Sequence, residues 1–275
     1  MLYSTIMNSE VISTLYKPIQ PAIKQADNGI AYRELTPDAS LKPFIHCYWQ
    51  LDTKTPLTKP FDYKVAADGC IDIFFDALAP EQSFVMGFSQ QFAQFPLALS
   101  FRYIGIRFQP SAFPQVFQLR ADELTNRTLA LELIDKKLSS FIRLSTPAGS
   151  SFGKITKLFN LYFKQRFAQL EPKSDPRLCR ALEVIFKHRG AVITSQDLDA
   201  GISQRQLRRL FKHYIGASPK SFSKIVRFQH ILKLTQLDMT PGHGLLSHAQ
   251  GFYDQSHLIK DFKQLSGSTP SKISI

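Results

Sequence analysis

Between residue 31 and about residue 109, apolar residues fall in short runs broken by turn formers. The runs IHCYWQLD, FDYKVAA, GCIDIFFDA, SFVMGFS and ALSFRYIGIRFQ are rich in aromatic and β-branched residues and are separated by Pro, Asp and Gly. Such residues suit a pleated, half-buried surface, so each run predicts a strand. Their spacing predicts a barrel-like or sandwich domain. From 111 to 144 the apolar positions take a helical period, in SAFPQVFQLR and TLALELIDKKLSSFIRL. STPAGSSFG (145–153) reads as a linker, a helix follows to about 170, and EPKSDP breaks the chain again. From Pro176 onward the pattern is helical with short turns. The predicted fold class is α+β. A β-rich, barrel-like domain with helices spans 1–145, a helical linker spans 146–173, and an all-α domain spans 174–275.

A chain of 275 residues is comfortable for two domains with separate cores. The opening MLYSTIMNSEVISTLYKP lacks the basic start and apolar core of a signal peptide. No segment approaches the roughly 20 apolar residues that span a bilayer. The expected location is the cytoplasm, with no membrane partner. Three scattered cysteines, Cys47, Cys70 and Cys179, offer neither a disulfide framework nor a cysteine-rich zinc site. The net charge of +12 is uneven. Residues 171–275 hold 16 Lys and Arg against 8 Asp and Glu, while residues 1–170 hold 18 against 14. An excess concentrated in the smaller part points to a polyanion, with nucleic acid the commonest candidate.

The helical part matches itself at an offset of 51 residues. SQRQLRRLFKHYIGASP and DQSHLIKDFKQLSGSTP align Ser203 with Asp254, Leu207 with Leu258, Phe211 with Phe262, Gly216 with Gly267 and Pro219 with Pro270. A fixed offset indicates one structural unit used twice. Ser203 and Asp254 suit N-caps. Leu207, Leu210, Phe211 and Tyr214 share a helix face, as do Leu258, Phe262 and Leu265. Gly216 and Gly267 suit the left-handed residue after a helix. The outer face of the first copy is a stripe of Arg205, Arg208, Arg209 and Lys212. The second places Ser256, Lys260 and Lys263 beside Gln255. Arg pairs with guanine and Gln with adenine in the major groove, and the remaining cations meet phosphate.

These two blocks resemble the DNA-binding domain of the AraC/XylS transcription regulators, found in bacteria. The resemblance implies two helix-turn-helix units joined by a central helix at about 219–237. Gln204–Tyr214 and Gln255–Leu265 would be the recognition helices. Base-facing positions of the family fall on Arg205, Arg208 and Arg209, and on Gln255, Ser256 and Lys260. His257 is a further candidate near the DNA backbone. With Ser203, Gln204, Lys212 and Lys263, these form the candidate DNA-binding set. The first unit departs from the family at Gln196 and Asp197, where a Leu-Ala pair is usual. YRELTPDASLKPFIHCYW, ADGCIDIFFD, YIGIRFQPSAFPQVFQL and DELTNRT resemble an N-terminal domain common in bacterial AraC-like regulators. Its relatives imply a small-molecule effector, a homodimer, or both, and RNA polymerase as a partner if the protein activates.

The remaining chemistry is sparse. Asp68 reads as a turn residue, and Asp72 and Asp76 as strand-edge residues. Arg102 and Arg107 lie in an apolar strand, where they hold an acidic effector or close internal ion pairs. Tyr48 and Trp49 line a pocket or pack in the core. These four residues are the effector candidates. No nucleophile–base pair, phosphate loop or metal-ligand spacing stands out, so no metal, cofactor or enzymatic activity is expected. The expected function is a sequence-specific transcription regulator. The alternative is a scaffold whose helical domain contacts protein.

Overall fold

The computed structural model describes residues 12–20, 29–147, 149–170, 175–191, 198, 200–237 and 255–270. The first domain is built on strands β1 (Ile30–Leu35), β2 (Ile45–Thr53), β3 (Phe61–Val65), β4 (Ile71–Asp76), β5 (Ser83–Met86), β6 (Ala93–Leu97), β7 (Arg102–Phe108) and β8 (Thr128–Ala130). Six of them form an antiparallel sheet in the order β1-β2-β7-β4-β5-β8, and β3 pairs with β6 in a second sheet.

Strand alternation gives the large sheet two apolar faces. One face carries Tyr48, Ile73, Phe75, Ile104 and Ile106 and packs beneath helices. These are α1 (Ala112–Phe117), α2 (Lys136–Ser145) and α3 (Phe152–Gln169). The other face carries Cys47, Trp49, Leu51 and Phe74 and looks toward Tyr63, Val65 and Leu97 of the small sheet. Helix α3 starts where the Ser151 side chain accepts the Lys154 N–H. It buries Phe152, Ile155, Phe159 and Phe163 against the sheet. The helix expected as a connection is therefore packed into the first domain's core.

The stretch at 128–144 was expected to be helical throughout, and it is not. Thr128–Ala130 pair with Phe84–Met86 as strand β8. A 3-10 turn at Leu131–Leu133 follows. Helix α2 starts only where the Asp135 side chain accepts the Leu138 N–H. Open ladder positions on β5 outweigh the local helical period.

The second domain contains α4 (Pro176–Lys187), α5 (Gln204–Tyr214), α6 (Pro219–Leu237) and α7 (Gln255–Ser266). Leu182, Phe186, Phe211, Phe222, Phe228 and Phe262 lie in one buried cluster. Tyr16, Ala66, Ala67 and Phe88 of the first domain belong to that same cluster. The two domains thus share a core. No helix among the described residues is long and apolar enough to cross a membrane.

One cross-strand pair sets the inner face of the large sheet. Trp49 on β2 lies opposite Gly105 on β7. A Cβ at Gly105 would stand 2.1 Å from the indole Cε2. The missing side chain lets the indole lie against the strand. Gly105→Ala is expected to push the indole off the sheet and to destabilise the first domain by about 1–3 kcal/mol, the usual cost of overpacking. Trp49 is the only tryptophan, so urea unfolding followed by its fluorescence would show both the lost stability and an altered native spectrum.

Candidate nucleic-acid interface

Helix α5 begins with a capping box. The Gln206 N–H donates to Ser203 Oγ at 3.3 Å, and the Ser203 N–H donates to Gln206 Oε1 at 3.1 Å. Leu207 and Phe211 face the core, while Gln204, Arg205, Arg208, Arg209 and Lys212 are exposed. None of these four cations has an ion-pair partner among the described residues. Ser203 is committed to the cap through its hydroxyl. On α7, Leu258, Phe262 and Leu265 are buried, and Ser256, His257, Lys260 and Lys263 are exposed. The Asp254 cap, the Gln255 side chain, Gln196 and Asp197 lie outside the described residues.

Asp261 has no acidic counterpart in the first copy and fixes α7 to α6. It is buried, with Lys224 Nζ 2.7 Å and Arg227 Nη2 3.9 Å from its carboxylate. His257 Nδ1 is 3.8 Å away on the same helix. Lys224 also donates to Gln264 Oε1 at 2.8 Å. Two cations of the central helix therefore serve packing, and the outward cations of α5 and α7 remain for an anion.

Helices α5 and α7 both rest their C-terminal ends on the first domain. Gly216 follows α5 with φ +91°, and its carbonyl accepts Thr125 Oγ1 at 2.7 Å. A Cβ there would lie 2.6 Å from that oxygen. Gly267 follows α7 with φ +73°, and a Cβ would lie 3.0 Å from the Phe92 ring. The Phe92 N–H donates to the Gln264 carbonyl at 3.0 Å, and the Ala67 N–H to the Leu265 carbonyl at 2.9 Å. Each glycine therefore stops a helix and admits a close neighbour, and the exposed first turn of α5 lies at the opposite end.

The loop between β3 and β4, which carries Ala67, leads back to a buried charge. Arg107 on β7 is 2% exposed and lies opposite Asp72 on β4. Its Nη2 donates to Asp72 Oδ2 at 3.0 Å, and its Nε is 3.2 Å from Asp68 Oδ2. Trp49 Nε1 donates to the same Asp72 oxygen at 2.9 Å. Burial lifts the Asp72 carboxyl to about 6, against the pull of Arg107. Burial acts to lower Arg107, but Asp72 and Asp68 more than reverse this and keep it charged. Asp68 also accepts Gln20 Nε2 at 2.9 Å. Next to it, Ala66 exchanges two hydrogen bonds with the Gln20 amide, and the Ala67 carbonyl accepts Gln229 Nε2 from α6 at 2.9 Å.

A cavity of about 280 Å³ lies between the two sheets. Trp49, Phe74, Phe84, Phe95 and Tyr103 wall it, with Asp72 and Arg107 at one side. Of the four effector candidates, Trp49 and Arg107 line this cavity and two do not. Tyr48 faces the helices, where its hydroxyl donates to Asn160 Oδ1 at 2.9 Å. Arg102, at the start of β7, ties the sheet to the loop between α2 and α3, with Nη2 donating to the Ser150 carbonyl at 2.7 Å. Neighbouring strand residues alternate in face, so Tyr48 and Trp49 could not both line one pocket. Asp68 and Asp72, read as turn and edge residues, are buried partners of Arg107. The missed signal was Asp72 two residues before Phe74, both on the face of an apolar strand opposite Arg107. No cluster of metal-ligating residues occurs among the described residues.

Repeated basic helices on one shared core, the first of them capped by Ser203, are the build of the helix-turn-helix class of DNA-binding proteins. Residues 199–274 match a family model described as a helix-turn-helix domain, and residues 33–130 match a domain of unknown function. The chain therefore carries an AraC-type helix-turn-helix domain and is a DNA-binding transcriptional regulator. No curated protein matches it. Solved structures of ToxT from Vibrio cholerae resemble it at low identity. An apo ToxT variant is 13% identical over 90% of this chain and 97% of that one, with a TM-score of 0.43. ToxT bound to (E)-4-(8-methylnaphthalen-1-yl)but-3-enoic acid is 12% identical over 88% and 96%, with a TM-score of 0.41.

Removing Asp261 would leave Lys224 and Arg227 facing each other beneath α7. Asp261→Ala is expected to cost about 3 kcal/mol, as breaking a buried ion pair does. It should also speed amide hydrogen exchange in α7 more than in α5. Exchange rates helix by helix, with a thermal melt, would check both.

Proposed function

We propose that the second domain reads an asymmetric duplex site with two non-identical recognition helices, and that the first domain senses a small effector. The observation that carries this reading is the repeat itself. Both copies pair a buried apolar face and a glycine stop with an exposed polar and basic face. On this reading Arg205, Arg208, Arg209, Gln255 and Ser256 set base preference. Lys212, Lys260 and Lys263 add affinity at phosphates, with Gln204 and His257 close to the DNA and Ser203 holding the cap. The two helices enter successive major grooves roughly 34 Å apart on one DNA face.

The first domain, including α3, acts as sensor, as homodimerisation module, or as both. The inter-sheet cavity supports the sensor role. One route for the signal runs along α3, the helix that precedes the second domain. The contacts at Ala66, Ala67, Phe92 and Thr125 favour a more direct route, in which a change at the cavity wall shifts the pose of α5, α6 and α7. A ligand can shift that pose only by as much as it prefers one arrangement over the other. The protein works in the cytoplasm, without enzymatic activity, and meets RNA polymerase where it activates.

Selection of random duplexes by the purified protein, with salt titration of the winners, tests the DNA reading. An asymmetric motif is expected. Arg208→Ala should cost about 1–3 kcal/mol and relax preference at one position. Lys212→Ala should weaken all sequences alike and reduce the salt slope by about 1. No enriched motif, with weak binding indifferent to both changes, would overturn the regulator reading in favour of a protein-binding scaffold.

A further inference from the structure

The cavity between the sheets has walls of one character and a polar end of another. Phe74 sits at the centre of the wall, with ring centroids of Phe84, Phe95, Tyr103 and Trp49 between 5.6 and 6.5 Å away. Flat apolar walls of this kind suit a ring system. At about 280 Å³ the space lies near the small end of ligand pockets. The polar end is Asp72 and Arg107, which lie side by side across the strand register.

The charge at that end decides the ligand's charge. Arg107 is the cation, but it is already spoken for. Asp72 is 3.0 Å and Asp68 3.2 Å from it, and Glu34 Oε1 stands 3.7 Å from Nη1. Carboxylates outnumber the guanidinium, so an incoming anion meets net repulsion in a setting that screens poorly. A ligand cation would compete with Arg107 for Asp72. Arg107 Nη1 has no hydrogen-bond partner among the described residues. An Asp–Arg pair offers an acceptor and a donor next to each other. Its complement is an uncharged group with both, such as a carboxamide or a hydroxyl.

We propose that the inter-sheet cavity binds a neutral aromatic molecule of about two fused rings, whose single carboxamide or hydroxyl group meets Asp72 and Arg107, and that it discriminates against aromatic carboxylates. This assignment rests on the sensor reading of the first domain. It reverses the acidic effector that Arg102 and Arg107 suggest in the sequence.

Three probes of one shape test it: 2-naphthamide, 2-naphthoate and 2-naphthylmethylammonium. Each is titrated into the full-length protein at neutral pH by calorimetry, with quenching of the single Trp49 as the local reporter. The amide should bind and quench, and the carboxylate should bind at least tenfold more weakly. In Asp72→Asn the gap between amide and carboxylate should narrow. In Val65→Phe, which fills the cavity with an apolar side chain, amide binding should be lost. Equal or tighter binding of the carboxylate, retention of amide binding in Val65→Phe, or no binding of any probe would overturn the proposal. The wild-type ratio decides the matter even if Asp72→Asn does not fold. Affinity for a selected duplex is read in the same samples. Unchanged DNA affinity with the amide bound would sink the sensor reading and leave the ligand assignment standing. A winning carboxylate would sink the assignment and leave the sensor reading standing.

Discussion

Arg107 is a full charge placed in the middle of a sheet, and much of the molecule is arranged around keeping it there. A buried guanidinium is tolerated only when carboxylates and hydrogen bonds replace its water. Asp72 comes from the neighbouring strand in register. Asp68 comes from the loop between β3 and β4, and this second partner has the wider consequence. To reach Arg107, that loop must cross the end of the sheet. There it presents the backbone of Ala66 and Ala67 to Gln20, Gln229 and Leu265. The electrostatic need of one strand residue thus holds the platform on which the helical domain sits. Gly69 in the same loop approaches the Phe222 ring so closely that a Cβ would lie 2.8 Å from it.

The platform explains why the glycines of the repeat have two physical roles. After a helix, a residue in the left-handed region is needed, and glycine adopts it without strain. Gly216 and Gly267 also lie where first-domain atoms would meet any side chain. Helices α5 and α7 are therefore stopped and seated by the same residues. Fixing both C-terminal ends on one body orients the two helices relative to each other, in addition to the link through α6. A regulator built this way has a mechanical reason to keep its domains in contact.

Much of this was legible in the sequence, and the limits have physical causes. The bounds of α5 and α6 follow from capping and stop residues that act within a few positions, so Ser203, Gly216 and Pro219 announce them. The strands are legible as β-rich runs, but β8 is not, because its pairing with β5 depends on a partner over 40 residues away. The same holds for the cavity. Trp49 and Arg107 could be singled out as unusual, yet Asp68 looked like an ordinary turn residue because its partner is remote in sequence. Tyr48 and Arg102 lie on the sheet face away from the cavity, a distinction that follows from strand parity once the register is known. The docking of the helical domain had no sequence signal, since it joins residues far apart along the chain, such as Ala67 with Gln229 and Leu265, and Thr125 with Gly216.

Both domains spend buried acids on internal cations, and this gives the net charge its meaning. In the first domain, Asp68 and Asp72 are buried and spent on Arg107, and Asp135 caps α2 while pairing with Arg166. In the second, Asp261 is spent on Lys224 and Arg227, which removes two cations from any outside partner. Among the described residues, Arg205, Arg208, Arg209, Lys212, Lys260 and Lys263 make no ion pair, on helices whose other faces are buried in the core. A basic surface that arises from solvated, scattered lysines carries little information. One that remains after the internal acids are allotted, and that repeats on two helices held by one platform, is a surface shaped for a regular anion.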